Sequence, residues 1–399
     1  MHRSMIQFTL LLLVPSIGAC APSPSPTAQV AAAPADAGAP GPRAMQVTTI
    51  ADGLEHPWSV ALLPGGGFLV TERSGRLRHV AADGTVSAPI EGVPEVFAQG
   101  QGGLLDVALA PGFDETRRIY LTYAEPGPDG TAGTAAGHGV LARTGNGYRL
   151  DGFTRIYRQQ PKVRGGAHFG SRLAFDRDGH VFISQGDRNG LAVAQDLDDL
   201  RGKLVRLALD GDVPADNPFA GRADARPETW SYGHRNIQGM AVDPRTGTLW
   251  TSEHGPRGGD EINLPRPGAN YGWPLATHGM AYRTNEPYAE TEGTNVPGTE
   301  PPHHWWRQSP GLSGMAFLTG QPGSAWNDSL FLGALADEHL IRLQLDGDRI
   351  AGEERLLQDL GARIRDVRVG AEGAVYVLTD ADDGTLLRLD APIAPPTQE

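Results

Sequence analysis

The fold is decided by a stretch that begins with Val60-Ala61-Leu62-Leu63-Pro64-Gly65 and resumes two residues later with Phe68-Leu69-Val70-Thr71-Glu72. A short apolar run, a turn carrying Pro and Gly, and a second run rich in β-branched and aromatic residues follow one another here. Two such runs joined by a turn are typical of an antiparallel β-hairpin. We therefore predict a hairpin at this position.

The same unit recurs five more times along the chain. The further copies are 107–111 with 119–122, 173–176 with 181–184, 240–244 with 249–252, 315–317 with 330–332, and 367–369 with 375–379. Successive copies begin 47 to 75 residues apart, enough for one four-stranded sheet and its loops. The pattern predicts an all-β fold, a six-bladed β-propeller, in which loops of every blade meet around a central axis.

Composition agrees with a turn-dense β protein and excludes other classes. Of 399 residues, 53 are Gly and 32 are Pro, together about a fifth of the chain against an average nearer 12%. Long-helix architectures are therefore excluded. The formal charge is -13 and no basic stripe is present, so no nucleic-acid partner is expected.

The first residues resemble a bacterial lipoprotein signal peptide over 1–19. Arg3 precedes the apolar run Phe8–Val14, and Ile17-Gly18-Ala19-Cys20 forms a small-residue cleavage site. Cys20, the single cysteine, is then the acylated mature N-terminus, anchored in the periplasm or at the outer membrane, with the lipid as the only membrane contact. The alternatives are an ordinary secretory signal peptide, giving a secreted protein, or a fortuitous apolar start.

Domain boundaries follow from composition. Residues 20–43 alternate Pro with Ala and Ser and are expected to form a disordered tether. Residues 44–392 lack a second linker and are predicted to be one propeller domain, followed by a disordered tail over 393–399.

Several loops carry more polar residues than turns require, and four of their strings resemble a known family. These strings are Gln-Gly-Gly-Leu-Leu (101–105), Tyr-Gly-His-Arg-Asn (232–236), Gly-Asp-Glu-Ile-Asn (259–263) and Asn-Tyr-Gly-Trp-Pro (270–274). Together they resemble the soluble aldose sugar dehydrogenases that depend on pyrroloquinoline quinone (PQQ), relatives of bacterial soluble glucose dehydrogenase. The resemblance extends from about Gly53 to Asp390, and the fold of that family is also a six-bladed propeller.

The resemblance implies oxidation of the anomeric C1 of an aldose to a lactone. Hydride would pass to PQQ, and the electrons onward to an external acceptor, a cytochrome or a quinone. His168 matches the family's base, and an imidazole with an ordinary pKa near 6.5 suits that task. Asp187 matches the residue that hydrogen-bonds the base, and Arg235 matches an arginine over the quinone carbonyl.

Further matches imply contacts to cofactor and sugar. Asn236 and Gln101 match PQQ contacts, while Arg363 and Arg365, alternating on one strand, would present both guanidinium groups to the PQQ carboxylates. Trp306 is interpreted as a wall of the sugar pocket, with a core position as the alternative.

The family holds PQQ through calcium. Gly255 and Pro256 match the residues whose carbonyls bind that ion. Glu261 and the Tyr271 carbonyl match a second, structural calcium site. The rival is a zinc site built on His254, but no second histidine stands at ligand spacing.

Two positions depart from the family pattern. Ala336 stands where the family usually has a lysine that contacts a PQQ carboxylate, and the loop continues with Asp337 and Glu338. Loss of this cation would weaken PQQ binding unless Arg342 or another arginine replaces it. Ala167 stands where glucose dehydrogenase itself has an acid, which fits the broader aldose branch.

Two other functions compete with this hypothesis. A calcium-dependent propeller lactonase would use a metal-activated water and no quinone. A non-catalytic propeller would act as a binding module, an alternative that Ala336 leaves open. Arg235 together with Arg363 and Arg365 favours PQQ, because water activation has no need for a set of cations that binds a tricarboxylate.

Overall fold

Short apolar runs separated by turn residues form the strands of this protein. The computed structural model describes residues 44–145 and 147–392. In chain order its strands are β1 Gln46–Leu54, β2 Pro57–Leu62, β3 Phe68–Glu72, β4 Arg76–Val80, β5 Leu104–Leu109, β6 Arg118–Pro126, β7 Thr131–Thr144, β8 Gly147–Arg158, β9 Val163–Arg164, β10 Leu173–Phe175, β11 His180–Ser184, β12 Lys203–Ala208, β13 Thr229–Tyr232, β14 Ile237–Val242, β15 Leu249–Glu253, β16 Asp260–Asn263, β17 His304–Trp306, β18 Leu312–Leu318, β19 Ser329–Ala334, β20 His339–Asp346, β21 Arg349–Leu356, β22 Ile364–Val369, β23 Val375–Thr379 and β24 Gly384–Asp390.

Helices are few and short in this part of the chain. They are the α-helix α1 Phe113–Thr116 and the 3-10 turns Pro128–Gly130, Leu191–Ala194 and Gln358–Leu360. No described helix is long and apolar enough to cross a membrane.

All six predicted hairpins are confirmed, and each begins one blade. They are β2–β3, β5–β6, β10–β11, β14–β15, β18–β19 and β22–β23, all antiparallel. In the first of them Val60 lies opposite Val70 and Ala61 opposite Leu69. The first strand of each blade contacts the first strands of both neighbouring blades, so these six strands surround the axis of a six-bladed β-propeller.

The two ends of the described chain meet in the last blade. Strand β1 pairs antiparallel with β24, with Val47 opposite Leu389, and the sheet order is β1-β24-β23-β22. Blade 1 consequently keeps only β2-β3-β4, while blade 2 adds β9 to β5-β6-β7-β8. The first strand thereby closes the ring through backbone hydrogen bonds.

The apolar core lies between blades rather than at one centre. Among the described residues, each of the six interfaces between neighbouring blades contains its own buried cluster. Leu69 packs with Leu121 between blades 1 and 2, and Phe182 packs with Met240 between blades 3 and 4. Because every blade is buried on both faces, the axial ends of the strands are held in place for the loops that follow them.

The predicted signal peptide (1–19), the acylated Cys20, the tether to residue 43 and the tail 393–399 lie outside the described residues. They therefore stay predictions from the sequence.

Candidate active site

A histidine and an aspartate 19 residues apart form the centre of the site. His168 Nδ1 lies 2.6 Å from Asp187 Oδ1, and His168 is only 8% exposed. A carboxylate accepts the Nδ1 proton, so the lone pair of the neutral ring is on Nε2. No described residue hydrogen-bonds Nε2, which leaves it able to accept a proton.

Asp187 is held by donors from three loops. Its Oδ2 accepts a hydrogen bond from Trp273 Nε1 at 2.8 Å and its Oδ1 accepts one from the Asn189 N–H at 2.8 Å. Burial by itself would raise the pKa of Asp187, but the hydrogen bond from His168 and the positive charge of Arg235 more than offset burial, so its pKa is lowered. The carboxylate therefore stays ionised and oriented toward His168.

Burial shifts the pKa of His168 in the opposite direction. It lowers the pKa of His168 below 6.5, and although Asp187 raises that pKa, Arg235 lowers it further. The ring is therefore neutral at neutral pH, which is the form that a general base needs.

The backbone around His168 is unusual and tightly packed. His168 has a left-handed φ of 55°, a conformation that non-glycine residues rarely adopt, and its N–H donates to Gln101 Oε1 at 2.7 Å. A Cβ on Gly186 would lie 2.1 Å from the His168 carbonyl oxygen, so only glycine fits there. Gln101 and Gly186 together hold His168 from two neighbouring loops.

Arg235 and Asn236 connect this pair to blade 4. The Arg235 carbonyl accepts the Asp187 N–H at 2.8 Å, and its own N–H donates to Glu253 Oε2 at 2.6 Å. Asn236 Oδ1 accepts the Gly170 N–H at 3.1 Å. Both side chains are buried, and the Nε of Arg235 and the Nδ2 of Asn236 have no partner.

A cavity of about 370 Å³ is lined by chain neighbours of these residues, although His168, Asp187, Arg235 and Asn236 are not themselves in its lining; we call it the first cavity. All six blades contribute to its lining, which includes Gln101, Phe169 and Gly170 from the loops around His168. Trp58, Leu105 and Phe169 pack together as an apolar wall.

Blade 6 contributes two cations to the first cavity. Arg365 Nη2 lies 2.7 Å from Asp380 Oδ2, and Arg363 Nη2 lies 3.4 Å from the same oxygen. The two guanidinium groups therefore lie on one side, although Arg363 precedes strand β22 rather than lying within it. Asp380 is the buried carboxylate that both of them contact.

The polar atoms left without partners show what the first cavity suits. Buried nitrogen atoms with no hydrogen-bond acceptor include Arg235 Nε, Asn236 Nδ2 and Arg365 Nε. A buried donor without an acceptor costs free energy. Of these, Arg365 lines the first cavity, whereas Arg235 lines a separate cavity of about 10 Å³. A flat ligand with several carbonyl and carboxylate oxygens would suit the arginine donors of the first cavity, and the residues that line it therefore fit PQQ.

A second cavity of about 600 Å³ adjoins the first and shares His254, Leu335 and Arg363 with it. Gly255 and Pro256 line it, and no described residue donates a hydrogen bond to either of their carbonyl oxygens. Free carbonyl oxygens are ligands that calcium prefers, so these two positions fit a calcium ion.

The sequence also predicted a structural metal site at Glu261 and Tyr271. Both residues line a cavity of about 10 Å³ together with Glu253, room for a single water-sized ligand. Burial and the neighbouring Glu253 carboxylate raise the pKa of Glu261 well above its ordinary value. Two adjacent carboxylates beside the free Tyr271 carbonyl fit a cation, because a cation offsets their repulsion.

The rival zinc site receives no support from side-chain geometry. Within the described residues, no three or more His, Cys, Asp or Glu side chains converge as metal ligands. His254 instead places Nε2 2.5 Å from the Leu312 carbonyl oxygen.

Trp306 requires a correction. It is 8% exposed and packs with Trp250, Leu312 and Leu343 in the core between blades 4 and 5, and it lines neither cavity. Its Nε1 donates to Glu353 Oε2 at 3.0 Å. Trp306 is therefore a core residue, because strand β17 directs that side chain toward blade 5.

The loop that lacks the family lysine lies beside the second cavity, where Ala336 forms part of the wall. Arg342, named above as a replacement, lies in neither lining and pairs with Glu354 at 2.9 Å. It does not supply a cation to the site.

Comparisons with known proteins agree with this geometry. A family model described as glucose/sorbosone dehydrogenase matches residues 54–388. Aldose sugar dehydrogenase YliI of Escherichia coli is 50% identical over 349 residues, which cover 87% of this chain and 93% of YliI.

Two solved structures are similar over nearly their whole length. A crystal structure of a glucose dehydrogenase has a TM-score of 0.84 and 57% identity, over 87% of this chain and 99% of the other. The PQQ-bound aldose sugar dehydrogenase of Streptomyces coelicolor has a TM-score of 0.71 and 27% identity, over 88% of this chain and 100% of the other.

Proposed function

The chain belongs to the glucose/sorbosone dehydrogenase family, and we propose that it is a PQQ-dependent dehydrogenase that oxidises the anomeric C1 of aldose sugars to lactones. The observation that carries the proposal is the His168–Asp187 pair, whose Nε2 has no protein partner among the described residues. The residues that follow His168, Phe169 and Gly170, line the first cavity together with Arg365, whose Nε is unpartnered. The PQQ-bound relative supports the choice of cofactor.

His168 is the proposed base. Its Nε2 would accept the proton of the C1 hydroxyl as the C1–O bond becomes a carbonyl bond. Asp187 would stabilise the imidazolium that results, since its carboxylate already accepts the Nδ1 proton. When bound, PQQ supplies the two-electron acceptor for the hydride that leaves C1.

Arg235 would stabilise developing negative charge. Its guanidinium is permanently charged, its Nε is buried without a partner, and its Nη1 is fixed by the His254 carbonyl at 3.2 Å. A donor held in place before the reaction costs no reorganisation when charge appears on a nearby oxygen.

The remaining predicted residues would bind groups rather than take part in proton transfer. Gln101, Asn236, Arg363 and Arg365 would hold the cofactor. Gly255 and Pro256 would hold calcium beside it, and Glu261 with Tyr271 would hold the structural calcium. The electrons would then pass to an external acceptor, a cytochrome or a quinone.

Reconstitution tests the function. Purified metal-free protein is mixed with PQQ and Ca²⁺, and reduction of an artificial dye is followed with several aldoses. We expect dye reduction that requires sugar, PQQ and Ca²⁺ together, and a lactone as product. If no aldose reduces the dye and no PQQ binds in a titration, the proposal is wrong.

We also propose lipid anchoring at Cys20, from the apolar run Phe8–Val14 and the cleavage site that follows it. The substitution Cys20→Ser removes the acylated thiol. We expect the wild-type protein in the membrane fraction of a bacterial host and the variant outside it. An unchanged distribution would contradict the anchor.

A further inference from the structure

Arg73 is a third arginine in the first cavity, and none of the sequence motifs pointed to it. It follows strand β3 and lines the first cavity together with Arg363, Arg365 and Asp380. Blade 1, which neighbours blade 6 in the ring, therefore supplies a further cation to the same lining.

The backbone holds Arg73 against the loop that carries Gln101. Arg73 Nη1 donates to the Gly100 carbonyl at 2.7 Å. A Cβ on Gly103 would lie only 2.0 Å from the Arg73 carbonyl oxygen, so glycine permits this close approach. Gln101, between these two glycines, accepts the His168 N–H, and Arg73 is thus fixed relative to the proposed base.

One edge of the Arg73 guanidinium has no protein partner. Its Nε is buried without an acceptor, and no described residue hydrogen-bonds its Nη2. The Nε and Nη2 groups form the edge that commonly binds both oxygens of a carboxylate. The side chain is therefore arranged for a bidentate acceptor that the protein does not provide.

The first cavity also has more positive than negative charge. Arg363 and Arg365 share the single carboxylate of Asp380, while no described carboxylate lies within ion-pair distance of Arg73. Burial, and then the positive charges of Arg73 and Arg363, lower the pKa of Arg365 although Asp380 raises it. In a chain of formal charge -13, three guanidinium groups around one acid suit a polyanionic ligand.

We propose that Arg73 binds a carboxylate of PQQ, as the third guanidinium group of a set with Arg363 and Arg365. This inference rests on the proposed function, because it names a residue of the same site. It also offers a cation for a tricarboxylate without the family lysine, because Arg73 lines the first cavity, whereas Ala336 lines the second together with Arg257 and Arg307.

The test is a binding titration that needs no turnover. PQQ is added to the metal-depleted full chain in the presence of Ca²⁺, and the Kd is measured by calorimetry and by quenching of tryptophan fluorescence. We expect Arg73→Gln to raise the Kd at least about tenfold, the value of one charge-assisted hydrogen bond. Arg73→Lys keeps the charge but loses the bidentate edge. Its Kd should lie between that of the wild type and that of Arg73→Gln.

Two controls separate binding from folding. Arg342→Gln removes an arginine that lies outside both cavities and should leave the Kd unchanged. The trimethyl ester of PQQ lacks the carboxylate charges, so the wild type and Arg73→Gln should bind it equally. Thermal unfolding of each cofactor-free variant shows whether the chain is folded before the titration.

The outcomes are distinct. Wild-type affinity for PQQ in folded Arg73→Gln, or an equal loss of affinity for the ester, overturns the role of Arg73 and leaves the proposed function standing. If the wild type itself binds no PQQ, the proposed function fails and this inference fails with it.

Discussion

At the scale of single residues, the site depends on two groups whose protonation is set by their surroundings. His168 loses water on burial, which lowers its pKa, while Asp187 keeps its charge because donors surround it. A neutral imidazole beside an ionised carboxylate can accept a proton and then be stabilised as a cation.

Replacement of the proposed base should slow turnover strongly without removing the cofactor. We expect His168→Ala to reduce kcat by roughly 10² to 10⁴, the usual contribution of a general base, while the PQQ Kd changes little. Steady-state dye reduction at saturating sugar measures kcat, and a PQQ titration measures the Kd. Retained turnover with PQQ bound would remove His168 from the base role.

The pH profile provides a second prediction. Because the pKa of His168 is lowered, the neutral form persists below pH 6.5, and the acid limb of kcat/KM should lie below that value. Asp187 raises the pKa of His168, so Asp187→Asn should move the limb to still lower pH while the rate falls roughly a hundredfold or more. A limb that moves upward in the variant would contradict this orientation of the pair.

At the scale of elements, strands β15 and β16 place two carboxylates side by side. Glu253 and Glu261 lie opposite each other in the antiparallel register. Glu253 accepts hydrogen bonds from His234 Nδ1 at 2.8 Å and Asn263 Nδ2 at 3.1 Å, whereas Glu261 has only Asn263. Glu261 is therefore the carboxylate that most needs a cation.

Removal of the Glu261 charge should abolish the increase in Tm that Ca²⁺ produces. In PQQ-free wild-type protein, Ca²⁺ at about 100 times its Kd should add about 2.7 kcal/mol of stability and raise the Tm by several degrees. Glu261→Gln should lose this shift and, without Ca²⁺, be at least as stable as the wild type, because the repulsion from Glu253 is gone. Differential scanning calorimetry with and without a chelator measures both.

The exposed Glu95→Gln variant is the matched control and should keep the full calcium shift. An undiminished shift in Glu261→Gln would place the stabilising ion elsewhere.

At the scale of the whole molecule, buried ion pairs connect blades that are distant in sequence. Arg172 is 1% exposed, and its Nη1 lies 2.9 Å from Asp366 Oδ1 and 3.4 Å from Asp106 Oδ1. Arg368 Nη2 also lies 2.9 Å from Asp106 Oδ1. Blades 2, 3 and 6 are thus joined near the axis, just as β1 and β24 join the two ends of the chain.

Loss of one partner from this cluster should destabilise the ring strongly. Arg172→Met leaves two buried carboxylates short of a cation, and we expect a loss of about 3–5 kcal/mol in the free energy of unfolding. Urea denaturation measures it. Arg349→Met, which breaks the exposed pair with Asp346, should cost less than about 1 kcal/mol. If Arg172→Met and Arg349→Met lower the free energy of unfolding equally, the axial cluster stabilises the protein no more than an exposed ion pair does.

Local patterns predicted the blades well, because a hairpin depends on neighbouring residues. Each apolar run, turn and β-branched run occurs within about 25 residues, and all six formed the expected pairs. The pairing of β1 with β24 was not predicted, since no local pattern indicates which sheet a distant terminal strand will join.

The candidate site was predicted in part, through the resemblance of its strings to a family. Trp306 shows one limit: two adjacent tryptophans in β17 differ only in which face they occupy, and packing against blade 5 decides which one is core. Arg73 and Asp380 show another limit. Each lies in a connection between strands whose local sequence indicates no function, and its possible role follows only from the cavity that it lines in the folded chain.

The sequence by itself determined the repeat, the number of blades and the residue types available for chemistry, because each is written within short segments. Only the tertiary structure decided which of those residues meet: closure of the ring brings loops from six blades around one cavity. Distances such as the 2.6 Å between His168 and Asp187, and the surplus of cations around Asp380, arise from that closure, since residues far apart along the chain come together only when every blade is packed.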